Sequence, residues 1–303
     1  MSKLSEAKSV YEQYGLRGLM RESGNLLNKQ LAGLRHGRAG NPDGVSVFER
    51  DWDNLVLLDA CRYDYFEKHV KDAGLSGTLQ SHQSLGSCSR EFVQRNFDGR
   101  QLHDVVVVSA NLWYEQVQQD FDTDIDVHHL ELVTERERRD TWRPAPFPDH
   151  VTNRVRTVVD EFPDKRLLIH YHQPHEPYIG PTAQRHADPD YPLNIPRQYL
   201  HDAYEETLRT VLDELSTVIE LLDGKTVVSA DHGDLLGEVT APIPTRMYGH
   251  PCEYYHEKLV TVPWFVVDHD SRKSVVAEEP ARTRQYMDDD EREARLRDLG
   301  YVV

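Results

Sequence analysis

The amino-acid sequence predicts an α/β fold with a mostly parallel central sheet and helices on both faces. Five short apolar runs, rich in Val, Leu and Ile, are typical of buried strands. These runs cover 54–60, 104–110, 166–172, 225–233 and 262–268. Stretches with helical spacing lie between them at 62–72, 89–98, 149–161 and 198–222. Apolar strands that alternate with amphipathic helices favour parallel strands, because each helix returns the chain to the same end of the sheet.

Two segments outside this alternation have helical patterns of their own. Residues 4–35 carry leucines at helical spacing among charged residues, which predicts one helix or two packed outside the main domain. The stretch at 36–44 is rich in Gly, Pro, Asn and Asp, as linkers are. We therefore expect a helical extension with its linker at 1–45 and a single domain at 46–303. That domain is predicted to end in an acidic helix over 288–301.

The acidic composition limits the class of partner. The chain has 303 residues and a net charge of -17, so no basic surface is expected that would attract nucleic acid. Its cations divide into 9 lysines and 26 arginines. Many carboxylates with few lysines are typical of proteins that work in concentrated salt, where the repulsion between carboxylates is screened. We interpret the protein as halophilic; an acidic cytosolic enzyme is the alternative.

The cysteines and the absence of long apolar runs indicate a compartment. Cys61, Cys88 and Cys252 are odd in number and widely spaced, so no disulfide framework is expected. No apolar run has the length of a spanning helix, and the N-terminus has no apolar signal region. We therefore predict a cytoplasmic protein. The amphipathic stretch at 4–35 leaves open a peripheral location on a membrane surface.

Side chains that could bind a ligand or take part in catalysis collect where three of the predicted strands end. Asp59 closes the first strand, a histidine-rich segment ends the third, and an Asp-His-Gly motif ends the fourth. The candidate residues are Asp59, His170, His172, His175, Asp231, His232 and Asp234. Each has an ordinary alternative, since an Asp after a strand often caps a helix and a His in a loop usually packs. Ligands of open parallel sheets bind at the carboxyl ends of strands, so together these residues predict a site.

The residue types at this edge predict a metal site. Carboxylate oxygens and imidazole nitrogens together suit Zn²⁺ or Mn²⁺ better than Ca²⁺, which prefers oxygen alone. Asp59, Asp231 and His232 are the predicted ligands, and Ca²⁺ or Mg²⁺ are the less favoured ions. The run SLGSCSREF at 84–92 offers three nucleophiles just before a predicted helix. A metal that takes one of them as a further ligand would lower its pKa, and the first amides of the helix could hold an anion.

The order of these motifs along the chain resembles that of the alkaline phosphatase superfamily, and within it the sulfatase-like branch. The motifs are LLDACRYD at 57–64, PHEPY at 174–178, DHG at 231–233 and GHPCEYYHEKLVTVP at 249–263. The terminal RLRDLGY at 295–301 looks like the tail of sulfatase-like proteins of haloarchaea. The resemblance covers about residues 50–301 and implies an alkaline-phosphatase-like fold.

The resemblance also implies roles for individual residues. Asp59, Asp231 and His232 match metal ligands, with the nucleophile as a further ligand. His175 and His250 match positions that contact substrate oxygens, protonate the leaving group or hold a second metal. A single metal is favoured, because Ile179 stands where two-metal relatives have a histidine.

The run SLGSCSREF at 84–92 departs from the family pattern, and these departures predict which of its residues attacks the substrate. In sulfatases a Cys-x-Pro-Ser-Arg signature supplies a cysteine that becomes formylglycine, and here Cys88 is followed by neither the proline nor the spaced arginine. We predict Ser89 as the nucleophile, with Cys88 second and Ser87 third. Arg90 either braces the nucleophile or clamps the anion, or else is an exposed helix arginine.

The functional prediction is a metal-dependent hydrolase or transferase. It would act on a phosphate ester, and a phosphodiester in particular, or on a sulfate ester, through a covalent Ser or Cys intermediate. The substrate would be a small molecule or a glycan, with no nucleic acid involved, and the sequence does not indicate the oligomeric state. The alternative is a non-catalytic descendant that keeps the fold as an anion-binding scaffold.

Overall fold

The computed structural model describes residues 3–36, 40–137, 146–186 and 197–280, and in these ranges the chain builds one large sheet and a separate hairpin. The strands are β1 (Asn54–Leu58), β2 (Gly77–Gln83), β3 (Gln101–Ser109), β4 (Asp126–Leu132), β5 (Arg166–Tyr171), β6 (Thr226–Ser229), β7 (Leu235–Val239), β8 (Arg246–Gly249) and β9 (Thr261–Val267). The large sheet has the order β2-β9-β6-β1-β5-β3-β4, and β7 and β8 form the hairpin.

The large sheet is parallel except at one strand. β1 pairs in parallel with β5 and β6, and β3 does so with β4 and β5. β9 runs antiparallel to both of its neighbours, β6 and β2. Six strands therefore point in one direction, and their carboxyl ends share one edge of the sheet, as the sequence predicts.

The helices cover both faces of this sheet. They are α1 (Lys3–His36), α2 (Tyr63–His69), α3 (Ser89–Phe97), α4 (Trp113–Asp120), α5 (Pro148–Glu161), α6 (Pro181–His186), α7 (Arg197–Ile219) and α8 (Glu257–Val260), with a 3₁₀ turn at Val47–Glu49. All four predicted helical stretches inside the domain contain a helix. The predicted terminal helix at 288–301 lies outside the described residues.

Alternate side chains of each strand divide the core into two layers. Val56 and Leu58 of β1 pack with α2, α5 and α7 on one face. Leu55 and Leu57 of the same strand pack with α3 and α4 on the other. Successive side chains of a strand point to opposite faces, and both faces of this sheet are covered by helices. Both sets of side chains are therefore apolar, and the central strands appear in the sequence as continuous apolar runs.

α1 packs against the hairpin rather than the large sheet. It is kinked at Gly15, and its second half contacts β8 and the connection between β7 and β8. Asn28 Nδ2 donates to the Ile243 carbonyl over 2.8 Å, and Ile243 N donates to Asn28 Oδ1 over 3.0 Å. The prediction of a helix over 4–35 is confirmed, and the division of the chain at residue 45 stays a prediction.

No helix in the described part of the chain has the length and hydropathy that a bilayer-spanning helix requires. The halophilic character and the cytoplasmic location stay predictions.

Candidate active site

The predicted site residues meet at the carboxyl ends of four neighbouring strands. Asp231 and His232 follow β6, and Asp59 follows β1, the next strand in the sheet. His172 follows β5, and Asn111 follows β3 beyond it. All five residues are buried. The edge of the sheet therefore collects side chains that are far apart in the sequence.

Ser89 brings its hydroxyl into the middle of the three predicted ligands. It is the first residue of α3, so the positive end of the helix dipole lies at its backbone. Ser89 Oγ donates a hydrogen bond to Asp231 Oδ2 over 2.7 Å and lies 3.5 Å from Asp59 Oδ1. His232 Nε2 lies 3.1 Å from Ser89 Oγ. The serine hydroxyl and its three neighbours are thus four groups that could bind one cation.

Asp59 is held by a strained turn and by a neighbour that the sequence did not single out. Ala60 has φ of 60°, a conformation that costs an alanine energy, and its N–H donates to Asp231 Oδ1 over 3.1 Å. Tyr204 fixes the turn by donating its hydroxyl to the Ala60 carbonyl over 2.8 Å. Asn111 Nδ2 donates to Asp59 Oδ2 over 2.9 Å. The only sequence signal for Asn111 is its place just after the second predicted strand.

His232 presents an unprotonated nitrogen to this cluster. Its Nδ1–H donates to the Gly233 carbonyl over 2.7 Å, which leaves the lone pair of Nε2 directed at Ser89 Oγ and Asp231. Burial lowers the pKa of His232 to about 4. The imidazole is therefore neutral near pH 7, the form that binds a metal.

The residues present fit a divalent metal ion. Ligand atoms of Asp59, Asp231 and His232 all lie within 4.8 Å of one another. Two carboxylates buried side by side repel each other, and a shared cation offsets both that repulsion and their lost hydration. The identity of the ion, Zn²⁺ or Mn²⁺ by the sequence analysis, stays a prediction.

A second group of possible ligands shares Asp59. Ligand atoms of Asp59, His172 and His175 also lie within 4.8 Å of one another. His172 Nδ1 is 3.7 Å from Asp59 Oδ2, whereas Asp59 Oδ1 faces Ser89. The two oxygens of one carboxylate thus face two clusters, and the expectation of a single metal stays a prediction.

His175 and His250 form a pair beside the cluster. Their Nε2 atoms are 2.8 Å apart, and the ring of His250 lies 4.4 Å from that of His232. His175 Nδ1 is 2.5 Å from the Glu176 carbonyl, so it carries a proton and His175 Nε2 accepts one from His250. Burial lowers the pKa of His250 to about 3 and that of His175 well below its usual value. Both rings are neutral in this arrangement.

Cys88 is not a free thiol. It forms a disulfide with Cys252, and this corrects the expectation that the chain has no disulfide. The second candidate nucleophile therefore has no thiolate to offer while the bond is intact. The sequence missed the pair because the two residues are 164 positions apart and only the tertiary fold brings them together. Cys61 is buried and free.

Ser87, the third candidate, is occupied by structural contacts. Its hydroxyl lies 2.9 Å from both Glu91 Oε2 and the Pro251 carbonyl, and accepts from Tyr254 N over 3.2 Å. Burial alone would raise the pKa of Glu91, but hydrogen bonds from Glu253 N, Tyr255 and Ser87 lower it. Glu91 therefore joins the start of α3 to the chain segment after His250, a role that the sequence did not indicate.

Arg90 packs against an aromatic ring. Its guanidinium lies 5.1 Å from the centre of the Phe121 ring, at the end of α4. The side chain is only partly exposed. Whether Arg90 braces the nucleophile, clamps the anion or is an ordinary helix arginine stays a prediction.

Comparison with known proteins gives similarity in structure alone, since neither a family model nor a curated protein matches the sequence. The C-terminal periplasmic domain of phosphoethanolamine transferase EptC from Campylobacter jejuni aligns with a TM-score of 0.50 and 12% identity, over 70% of this chain and 77% of that one. The same domain of EptC from Escherichia coli, in complex with Zn, aligns with a TM-score of 0.49 and 12% identity, over 72% of each chain.

A protein in the alkaline phosphatase superfamily from Vibrio parahaemolyticus aligns with a TM-score of 0.42 and 12% identity, over 85% of this chain and 71% of that one. At such identities the likeness concerns the fold alone. The chain has a fold like that of the C-terminal periplasmic domain of EptC, an α/β fold as the sequence predicts.

Proposed function

We propose that the protein is a metal-dependent enzyme that cleaves or transfers a phosphate ester through a covalent intermediate on Ser89. The observation that carries the proposal is the position of Ser89 Oγ, within 3.5 Å of Asp59, Asp231 and His232 at the start of a helix. A hydroxyl that only capped the helix would have no need of three buried ligand groups around it.

Asp59, Asp231 and His232 are the residues that would hold the metal, together with Ser89 Oγ. A divalent cation there supplies positive charge that favours the Ser89 alkoxide and offsets the charge on an attacked phosphoryl group. Asn111 and the Gly233 carbonyl orient Asp59 and His232 for this purpose, through the hydrogen bonds that each makes.

The chain's own groups would carry out the transfer in two steps. Ser89 Oγ, whose hydroxyl proton passes to water, forms a bond to phosphorus while the bond to the leaving oxygen breaks. The bound anion favours an additional proton on the His175–His250 pair, beyond the one that each neutral ring carries, and the resulting imidazolium gives this proton to the leaving oxygen. The neutral pair then accepts a proton from water or from an alcohol, whose oxygen attacks phosphorus. The bond to Ser89 Oγ breaks, Oγ takes up a proton from water, and the serine is restored.

Two features support a phosphate ester over a sulfate ester. The formylglycine signature of sulfatases is absent from the sequence. The cysteine that would carry that modification is in addition bonded to Cys252. A phosphodiester is the favoured substrate, and whether water or an alcohol accepts the group decides between a hydrolase and a transferase. We further propose that the group carrying the phosphate ester is a glycan.

Metal content and turnover test the proposal together. The purified chain is analysed for bound metal and then assayed with aryl phosphate, aryl phosphodiester and aryl sulfate in the presence of Mn²⁺ or Zn²⁺. We expect Ser89→Ala to abolish phosphodiester turnover while metal is still bound through the remaining ligands. Asp59→Asn should lose both metal and turnover. Ser87→Ala is the matched control, because its hydroxyl lies two residues away and makes structural contacts.

The outcome also separates the enzyme from the scaffold. Turnover that survives Ser89→Ala would exclude the covalent serine, and sulfate turnover lost on Cys88→Ala would restore a sulfatase. A chain that binds no metal and turns over none of the esters would be the non-catalytic descendant.

A further inference from the structure

The second half of α1 has one face buried against the hairpin. Gly24, Asn25 and Asn28 are buried on this side. A Cβ atom at Gly24 would lie 2.5 Å from Thr245 Cγ2, so the helix and the hairpin are in close contact there. Asn25 Nδ2 donates to the Arg246 carbonyl over 3.1 Å, and Thr245 Oγ1 donates to Asn25 Oδ1 over 2.7 Å. The face that packs on the protein is thus made of small and polar residues.

An adjoining face of the same helix, centred about 100° from the buried one, is apolar and exposed. The side chains that form it are Leu16 (63% exposed), Met20 (65%), Leu27 (47%), Leu31 (46%) and Leu34 (84%). At 3.6 residues per turn these five positions fall within an arc of about 60°. We call them the leucine stripe. A surface helix normally turns its apolar side to the core, whereas here the apolar side is turned to solvent.

The charge around the leucine stripe is opposite to that of the rest of the chain. Residues 15–36 contain four Arg and Lys residues and one Glu, a net charge of +3, so the remaining residues carry -20. Arg17 and Arg35 are exposed, and both lie about 40° beyond the same edge of the stripe on the helix surface. An apolar stripe bordered by cations is the pattern of helices that lie in the interface of an anionic bilayer.

We propose that the leucine stripe of α1 docks the protein onto an anionic lipid surface. The apolar side chains enter the boundary between headgroups and acyl chains, and Arg17 and Arg35 lie at the level of the phosphates. This inference is independent of the proposed ester chemistry, because it rests on α1 and uses none of the site residues.

A second copy of the chain is a poorer occupant of the stripe. Two α1 helices packed stripe to stripe would bring two net charges of +3 together. Outside α1, the described residues expose only four large apolar side chains, Phe121, Val239, Val275 and Val276, on three separate segments. They offer no continuous apolar surface that could cover the stripe, whereas a bilayer matches both its apolar and its cationic part.

Docking by the stripe would also place the site near the lipid. The hairpin that α1 contacts ends at Gly249, directly before His250. It packs on the flank of the helix, about 100° round from the centre of the stripe, so it lies beside the docked helix. Residues of the site are therefore joined to the docking helix through the hairpin.

Vesicle flotation with the full chain tests the proposal. The probes are vesicles of phosphatidylcholine alone and of phosphatidylcholine mixed with phosphatidylglycerol, at low and high salt. We expect the chain to float with the anionic vesicles at low salt. Leu27→Gln with Leu31→Gln should lower the bound fraction at least tenfold, and Gln keeps the helix propensity. Arg17→Gln with Arg35→Gln should lower binding about fivefold per cation on anionic vesicles only.

Val275→Gln with Val276→Gln is the matched control, since it removes two similarly exposed aliphatic side chains far from α1 in the sequence. It should leave flotation unchanged, and circular dichroism should show the same helix content in all variants. The proposal is wrong if the chain does not float with anionic vesicles, or if the leucine and valine variants bind equally. Light scattering that shows a dimer dissociated by the leucine variant, with flotation unchanged, would assign the stripe to a second copy.

Discussion

Cys88, the residue directly before Ser89, is disulfide-bonded to Cys252, two residues after His250. The bond joins the start of α3 to the loop that follows the hairpin. It therefore fixes the proposed nucleophile and one member of the histidine pair relative to each other. Glu91 strengthens the same connection through its hydrogen bonds to Ser87 and Glu253 N.

Reduction of this bond should lower the stability of the protein. Cys252→Ser, or a reducing agent, frees a loop of 164 residues in the unfolded state and is expected to cost about 2–4 kcal/mol of unfolding free energy. Urea unfolding with and without dithiothreitol measures the change. Cys61→Ala, at the free cysteine, should keep the sensitivity to dithiothreitol. An equal midpoint in both buffers would show that the bond is absent in solution.

Removal of the Asn111 amide should weaken metal binding. Asn111→Ala takes away the donor to Asp59 Oδ2. The loss of such a supporting hydrogen bond commonly lowers metal affinity about 10- to 100-fold. Isothermal titration with Mn²⁺ or Zn²⁺ gives the affinity. Asn54→Ala is the control, because Asn54 is a buried asparagine at the opposite end of β1. If both variants lose affinity equally, the effect comes from stability and not from Asp59.

A side chain at Gly233 should disturb the position of His232. A Cβ atom there would lie 2.0 Å from the Lys258 carbonyl oxygen, while Gly233 N donates to the Leu259 carbonyl over 2.7 Å. Gly233→Ala forces the segment after β6 away from α8 and should cost about 1–3 kcal/mol, with weaker metal binding. Thermal unfolding measures the cost. Gly33→Ala in α1 meets nothing within 4 Å and should be neutral or stabilising. A Gly233→Ala variant as stable as the wild type would contradict this packing.

The ion pair between Arg62 and Glu238 should anchor the hairpin. Arg62 Nη1 is 2.6 Å from Glu238 Oε1, and both side chains are largely buried. Glu238→Gln keeps the shape but removes the charge, so we expect a loss of about 1–3 kcal/mol in a urea titration. Lys68→Gln breaks the exposed pair with Glu205 and should cost less than about 1 kcal/mol. Equal costs for the two variants would argue against an anchoring role.

The metal-free protein should lose stability between pH 7 and pH 5. Burial lowers the pKa of His82, His170 and His232 to about 4, against 6.5 for an unperturbed histidine. As the pH falls through 6.5, the unfolded chain takes up protons that the folded chain does not, so the unfolded state is favoured. Each histidine contributes on the order of 2 kcal/mol over this range.

Urea midpoints at both pH values, in buffer with a chelator, measure this loss. His82→Gln should reduce the stability difference between pH 7 and pH 5 by the contribution of one histidine, on the order of 2 kcal/mol. The stability of this variant at pH 7 also changes, so the comparison is made between the two pH values within each variant. A midpoint that is the same at pH 7 and pH 5 would contradict the burial of neutral histidines.

The parts of the sheet that the sequence failed to predict are its edges. β2 has the sequence GTLQSHQ and is mostly exposed, and β4 has the sequence DVHHLEL and is partly buried along its length. Both lie at the ends of the strand order. An edge strand is covered less than a central one, so it does not need the continuous apolar run that revealed β1 and β3. The hairpin of β7 and β8 was missed because its strands, LLGEV and RMYG, are short and contain no continuous apolar run.

The sequence by itself determined the α/β class, the buried central strands and the residues Asp59, Asp231 and His232 at their ends. These follow from local periodicity and from the rule that parallel strands share one carboxyl edge. Only the tertiary structure decided that Cys88 pairs with Cys252, that Asn111 and Glu91 support the site, and that α1 turns its leucines outward. A disulfide, a hydrogen bond between distant segments and the orientation of a helix depend on how the chain returns to itself, and local patterns carry no record of that path.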